Sequence, residues 1–97
     1  MPAPAQLTLE HRMLLRCSAA FAITSWAQGN GNAAALQYPQ DEAAYRDFFV
    51  QASAQVMEEA ALDEAQIQAA LESEAQALVD ANQLDAVMGP CLALLQQ

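Results

Sequence analysis

Apolar positions recur at three and four residues along most of the chain, the spacing of helices with one buried face. Between residues 9 and 28, Met13, Cys17, Ala20 and Thr24 form one stripe, with Leu14 and Phe21 beside it. Leu15, Ala19, Ala22 and Trp26 form a second stripe. A helix apolar around most of its circumference is expected at the centre of a bundle. Thr8 is placed to cap it, with Glu10 in the first turn, and Gly29-Asn30-Gly31-Asn32 is a run suited to ending it. Asn32 caps a short turn that stops at Tyr38-Pro39, because the residue before proline avoids helical backbone.

A second long helix is predicted from about residue 39–41 to residue 61. Its inward face is Tyr45, Phe48, Phe49, Ala52, Val56 and Ala60, and Glu42 and Arg46 are paired four apart. Leu62-Asp63-Glu64-Ala65-Gln66-Ile67 carries the next start signal. Asp63 and Gln66 make a capping box, and Leu62 staples onto Ile67. The third helix runs to about Asn82 with Ile67, Leu71, Ala75 and Leu78 inward. Leu84, Val87 and Met88 mark a further helical stretch. Gly89-Pro90 is expected to break or kink it before a last short helix carrying Cys91, Leu94 and Leu95. No window alternates with period two for long. The reading is a compact all-α bundle of four to five helices, with residues 1–7 as a flexible N-terminal tail and 8–97 as one domain.

Composition sharpens this. Hydrophobic residues are 55% of 97, which supplies enough apolar surface to exclude disorder. All six aromatics, Phe21, Trp26, Tyr38, Tyr45, Phe48 and Phe49, fall in the first half, so the bulky core must come from the first two long helices. Trp26 is expected to be at least partly buried. The net charge is −9, with no lysine and only Arg12, Arg16 and Arg46 as cations. Nucleic acid is thereby excluded as a partner, since a phosphate backbone needs a basic stripe. No apolar run is long enough for a transmembrane segment. Leu14 to Ala27 has the character of a signal-peptide core, but it lacks a small-residue cleavage site and reads as a buried helix. Met1-Pro2-Ala3-Pro4-Ala5-Gln6 instead suggests the start of an exported protein after signal-peptide removal, with a cytosolic start as the alternative.

Candidate chemistry is sparse. His11 is the single histidine and lies six residues, about 240° of helix, from Cys17, so one helix cannot pair them for nucleophilic catalysis. It is expected on the surface. Glu58, Glu59, Asp63 and Glu64 cluster at a helix joint but match no calcium loop. No metal, cofactor or catalytic residue is assigned, and a non-enzyme is expected. Arg12 and Arg16 share a face and either grip an anionic partner or pair with the protein's own acids. Adjacent Phe48 and Phe49 point about 100° apart, so either a wide core face shared by two neighbouring helices covers both rings, or one ring lines an apolar groove or a homodimer contact. Cys17 and Cys91 both fall on apolar faces. They either staple the first helix to the last or remain as buried thiols.

Four segments, Arg16-Cys17-Ser18-Ala19-Ala20-Phe21-Ala22, Tyr38-Pro39, residues 47–54 and residues 86–95, resemble a group of small exported helical proteins of Gram-negative bacteria. That resemblance implies a removed signal peptide, a periplasmic location and a Cys17–Cys91 disulfide, and it implies no activity. In architecture alone the chain is similar to periplasmic acid-stress chaperones and small type VI secretion immunity proteins. The expected function is a non-enzymatic binding or interaction protein for an unknown protein or small apolar ligand. The alternatives are an acid-responsive periplasmic chaperone or a cytosolic regulator with free thiols.

Overall fold

In the computed structural model, which describes residues 7–95, five helices follow one another and no strand occurs among the described residues: α1 (Leu9–Gly29), α2 (Ala33–Leu36), α3 (Glu42–Ala60), α4 (Glu64–Asp80) and α5 (Leu84–Leu95). Residues 1–6 of the expected tail lie outside the described residues. Leu7, the last residue assigned to it, is half-buried against Leu15, Val56 and Ile67.

Each start has a local cause. Thr8 accepts from the His11 backbone N–H at 3.0 Å, while the His11 ring accepts from the Thr8 N–H, closing a capping box with histidine in the third position. Asn32 and Asp41 cap α2 and α3 through the N–H groups of Ala35 and Ala44. Asp63 and Gln66 form the capping box on α4, and Leu62 packs beside Ile67 as the staple reading requires. The ends differ more from expectation. Ala61 takes left-handed backbone at φ 57° to close α3, and Asn82 does so at φ 52° after α4 has stopped at Asp80, two residues early. An alanine there carries the steric penalty that glycine would avoid.

The Gly89-Pro90 break does not occur, and α5 runs through it to Leu95. Pro90 removes one N–H donor, but both it and Ala86, whose carbonyl loses that donor, lie on the exposed side where water can bond instead. Gly89 has no Cβ to clash with the proline ring, which lifts part of the usual restriction on the preceding residue.

α1 touches every other helix, whereas among α3, α4 and α5 only α3 and α4 share a substantial contact. This is the arrangement expected of a helix apolar all round. Contacts give the directions of its neighbours. Residues 11, 15 and 21 of α1 meet 59, 56 and 45–48 of α3, so the two are antiparallel. Cys17 and Thr24 meet Cys91 and Met88, so α5 is antiparallel to α1 as well. The main core holds Phe21, Tyr45, Leu78, Met88 and the cysteines, and a smaller one holds Leu15, Val56 and Ile67. Phe21 is fully enclosed, stacked on Tyr45 with centroids 4.9 Å apart and meeting Phe48 edge-on at 5.1 Å. Cys17 and Cys91 form a disulfide, S–S 2.06 Å, closing the first helix onto the last.

The α1–α3 connection is tied down by polar groups. The Gln28 amide donates to the carbonyls of Ala35, Tyr38 and Pro39, and the Tyr45 hydroxyl donates to the Pro39 carbonyl. The Tyr38 hydroxyl donates to Asp85 on α5. That bond to a carboxylate, aided by desolvation, pushes the Tyr38 phenol up to about 12, and burial also raises Tyr45. A raised folded value means the Tyr38 contribution is complete below the ordinary phenol value of about 10 and is lost as pH climbs through about 12. In an alkaline absorbance titration the native protein should therefore show little tyrosinate near pH ~10, with ionisation delayed towards the higher value. Half-ionisation of the two phenols at about pH 10 would contradict the Tyr38–Asp85 bond.

Candidate functional site

The residues singled out by sequence do not converge on one place. Arg16 on α1 donates from Nε to Glu74 on α4 at 3.2 Å, and Arg46 pairs with Glu42 at 3.0 Å, so two of the three cations serve the protein's own acids. Arg12 is exposed and makes no ion pair with a described residue. It borders a small cleft with Leu15 and Glu74.

His11 is buried, 7% exposed, and not on the surface. Its Nδ1 accepts from the Thr8 backbone, which leaves Nε2 of the neutral ring to donate to Glu59 Oε1 on α3 at 2.8 Å. The side chain therefore joins a helix cap to a neighbouring helix. The hydrogen bond from His11, with a second from Gln55, holds the Glu59 carboxyl below its ordinary value. Stability from this bond is present above the ordinary carboxylate range and fades as pH falls through the lowered value. The signal available in the sequence was the position of His11, three residues after a capping threonine. No group of three or more His, Cys, Asp or Glu side chains among the described residues is arranged to hold a metal ion, so Glu58, Glu59, Asp63 and Glu64 do not converge.

The aromatic pair divides between two grooves. Phe48 leans into the main core against Phe21, and its outer part lines a cleft of about 470 Å³ with Leu9, Glu10, Met13, Leu14 and Leu94. Phe49, turned about 100° away, lines a cleft of about 360 Å³ floored by Phe21 and Tyr45 and edged by Ala22, Ser25 and Trp26. Both rings are half-buried and each lines a groove, so the helix neither covers both nor leaves one wholly in the core. Phe48 still has the larger structural role. Phe48→Ala is expected to lower unfolding free energy by about 2–3 kcal/mol and Phe49→Ala by about 1 kcal/mol, below the value for a fully enclosed ring. Chemical denaturation of the two variants would measure the gap, and equal losses would place Phe49 in the core.

Trp26 departs most from expectation. It is 71% exposed at the lip of the Phe49 cleft. Met13, expected inward, is 46% exposed, and Ala22 is exposed too. Trp26 and Ala22 border the groove between α1 and α3, and Met13 borders the groove that α3 and α5 leave open, so these side chains face gaps between the covering helices.

No family model, curated protein or solved structure matches the chain.

Proposed function

We propose that this is a non-enzymatic binding protein of an oxidising, extracytoplasmic compartment, and that the cleft between α1 and α3 takes a small apolar ligand against Trp26 and Phe49. The observation that carries this reading is the tryptophan. An indole held largely in water beside an apolar cleft is costly to solvate, and covering it would remove a large apolar area from water. The cleft volume of about 360 Å³ falls in the range of small-molecule sites. The only charges on its rim, Glu42 and Arg46, neutralise each other, which suits an uncharged ligand. The disulfide supports the compartment, because such a crosslink persists where thiols are not kept reduced. No helix of the described residues is long and apolar enough to cross a membrane. The periplasm is the location that agrees with the sequence resemblance.

The test uses Nile red, an uncharged apolar dye. Titration should give saturable fluorescence and a blue shift of Trp26 emission. Trp26→Ala and Phe49→Ala should each weaken binding several-fold without altering the helical circular dichroism. Dye that binds both variants as it binds the parent would remove the cleft from consideration.

A further inference from the structure

We propose that His11 is a proton-operated latch on the start of α1: when its ring takes a second proton it gives up the Thr8 backbone, and Leu7 leaves its seat against α1, α3 and α4. The latch is separate from the Trp26 cleft, and its case does not rest on that reading. The ring is 7% exposed and is held at both nitrogens. Nε2 lies 2.8 Å from Glu59 Oε1, and Nδ1 lies 3.3 Å from the Thr8 backbone nitrogen. A carboxylate only accepts and a backbone N–H only donates, so the two partners together admit one form of the ring, neutral with its proton on Nε2. The glutamate or glutamine usual in this position of a capping box keeps an oxygen acceptor throughout. Histidine loses its acceptor with a single proton.

That proton acts oppositely on the two contacts. The bond to Glu59 becomes charge-assisted and holds the ring more firmly against α3. Nδ1 meanwhile carries a hydrogen aimed at the Thr8 N–H, donor against donor. The anchored ring stays, and the peptide between Leu7 and Thr8 turns away. Leu7 is half-buried against Leu15, Val56 and Ile67, one residue from each of three helices, and it moves with that peptide. Its departure widens the cleft of about 210 Å³ that it lines with Arg12, Ala70, Ser73 and Glu74, and uncovers Leu15 beneath. The change is confined to the first turn, because Thr8 Oγ1 still accepts from the His11 N–H at 3.0 Å.

The charges around the ring come from several elements. Glu10 and Arg12 flank it on α1, and Glu58 precedes Glu59 on α3, all three exposed. On α4, Asp63 accepts from the Gln66 N–H, Glu74 pairs with Arg16, and Glu64 is exposed. α5 carries only Asp85, which accepts from Tyr38 at the far end of that helix, and α2 carries no charge. Among the described residues Glu59 is the one charged side chain bonded to the ring. Its carboxyl is held below the ordinary range, so it remains an anion while the imidazole titrates.

The experiment is nitrogen-15 NMR of the full chain between about pH 8 and about pH 5, the span in which imidazole ordinarily changes charge. At the upper end the ring nitrogens should report the neutral form with its proton on Nε2. As the second proton arrives, the Thr8 amide should shift with the same midpoint, and the Leu7 methyls should lose their contacts with Val56 and Ile67. Helical circular dichroism should stay constant. Once the ring is protonated, the Thr8 amide should exchange with solvent roughly threefold to tenfold faster than in His11→Gln at the same pH, as expected for one lost hydrogen bond. His11→Gln keeps an acceptor and does not titrate, so Thr8 and Leu7 should hold still across the whole range. A ring that stays neutral throughout, a ring that protonates while Thr8 and Leu7 hold still, or the same release in His11→Gln would overturn the proposal. So would loss of helical signal over the same range, which would make the change global unfolding.

Discussion

Opening the Cys17–Cys91 bond is expected to remove about 4 kcal/mol of stability. The bond closes a loop of 74 residues, and in the chain-entropy account a loop of that length restricts the unfolded ensemble by about that amount. A domain of this size has only ~5–15 kcal/mol in total, so the loss is a large fraction. The architecture adds to it. α5 packs on α1 and has little contact with α3 or α4, so the crosslink reinforces the one helix-to-helix contact that holds it in the bundle. Cys17→Ala/Cys91→Ala keeps the buried positions apolar and isolates the crosslink. Thermal unfolding should move down by on the order of 15–30 °C, using about 4–8 °C per kcal/mol for a small domain. A shift of only a few degrees would mean that the unfolded chain is already restricted without the bond.

The second large effect is expected at Phe21. Its ring has no exposed surface, stacks on Tyr45 and receives the edge of Phe48. Phe21→Ala should cost about 3–5 kcal/mol through lost burial and the cavity left behind. It also removes two aromatic contacts, each worth ~0.5–1.5 kcal/mol beyond area. Phe21→Leu, which keeps most of the volume, should lose much less. Urea unfolding of both variants provides the comparison. Similar losses from Leu and Ala would show that ring geometry outweighs volume at this position.

Most of the fold was legible because its causes are local. Thr8, Asn32 and the Asp63–Gln66 box are recognisable from a few neighbouring residues, and each cap stands where the sequence places it. The centrality of α1 was legible for a related reason: a helix apolar around most of its circumference has to be covered by several neighbours. The misplacements all involve a neighbour. Periodicity reports which face of α1 is apolar but not where the gaps between its covering helices fall, and Trp26 and Met13 border such gaps. His11 looked like a surface residue because its partner, Glu59, is 48 residues away. Gly89-Pro90 looked like a break because proline is penalised in isolation. In the folded chain the freed carbonyl faces water and the preceding residue has no side chain to clash. The grooves were legible only as the divergence of two adjacent rings, which Phe48 and Phe49 show, and not as the three-helix surface that Leu9, Met13 and Leu94 complete.

That last surface also fixes the placement of the two ends. Leu9, in the first turn of the first helix, and Leu94, in the last turn of the last, line the same cleft. The described chain therefore departs and returns on one side of the bundle. A purification tag or fused reporter joined directly to residue 7 or residue 95 would start beside the cleft. The same closeness makes the chain a good subject for circular permutation. A short linker could join the present ends, and new ends could be cut into the exposed Gly29–Asn32 turn, which would leave α1 and its disulfide intact.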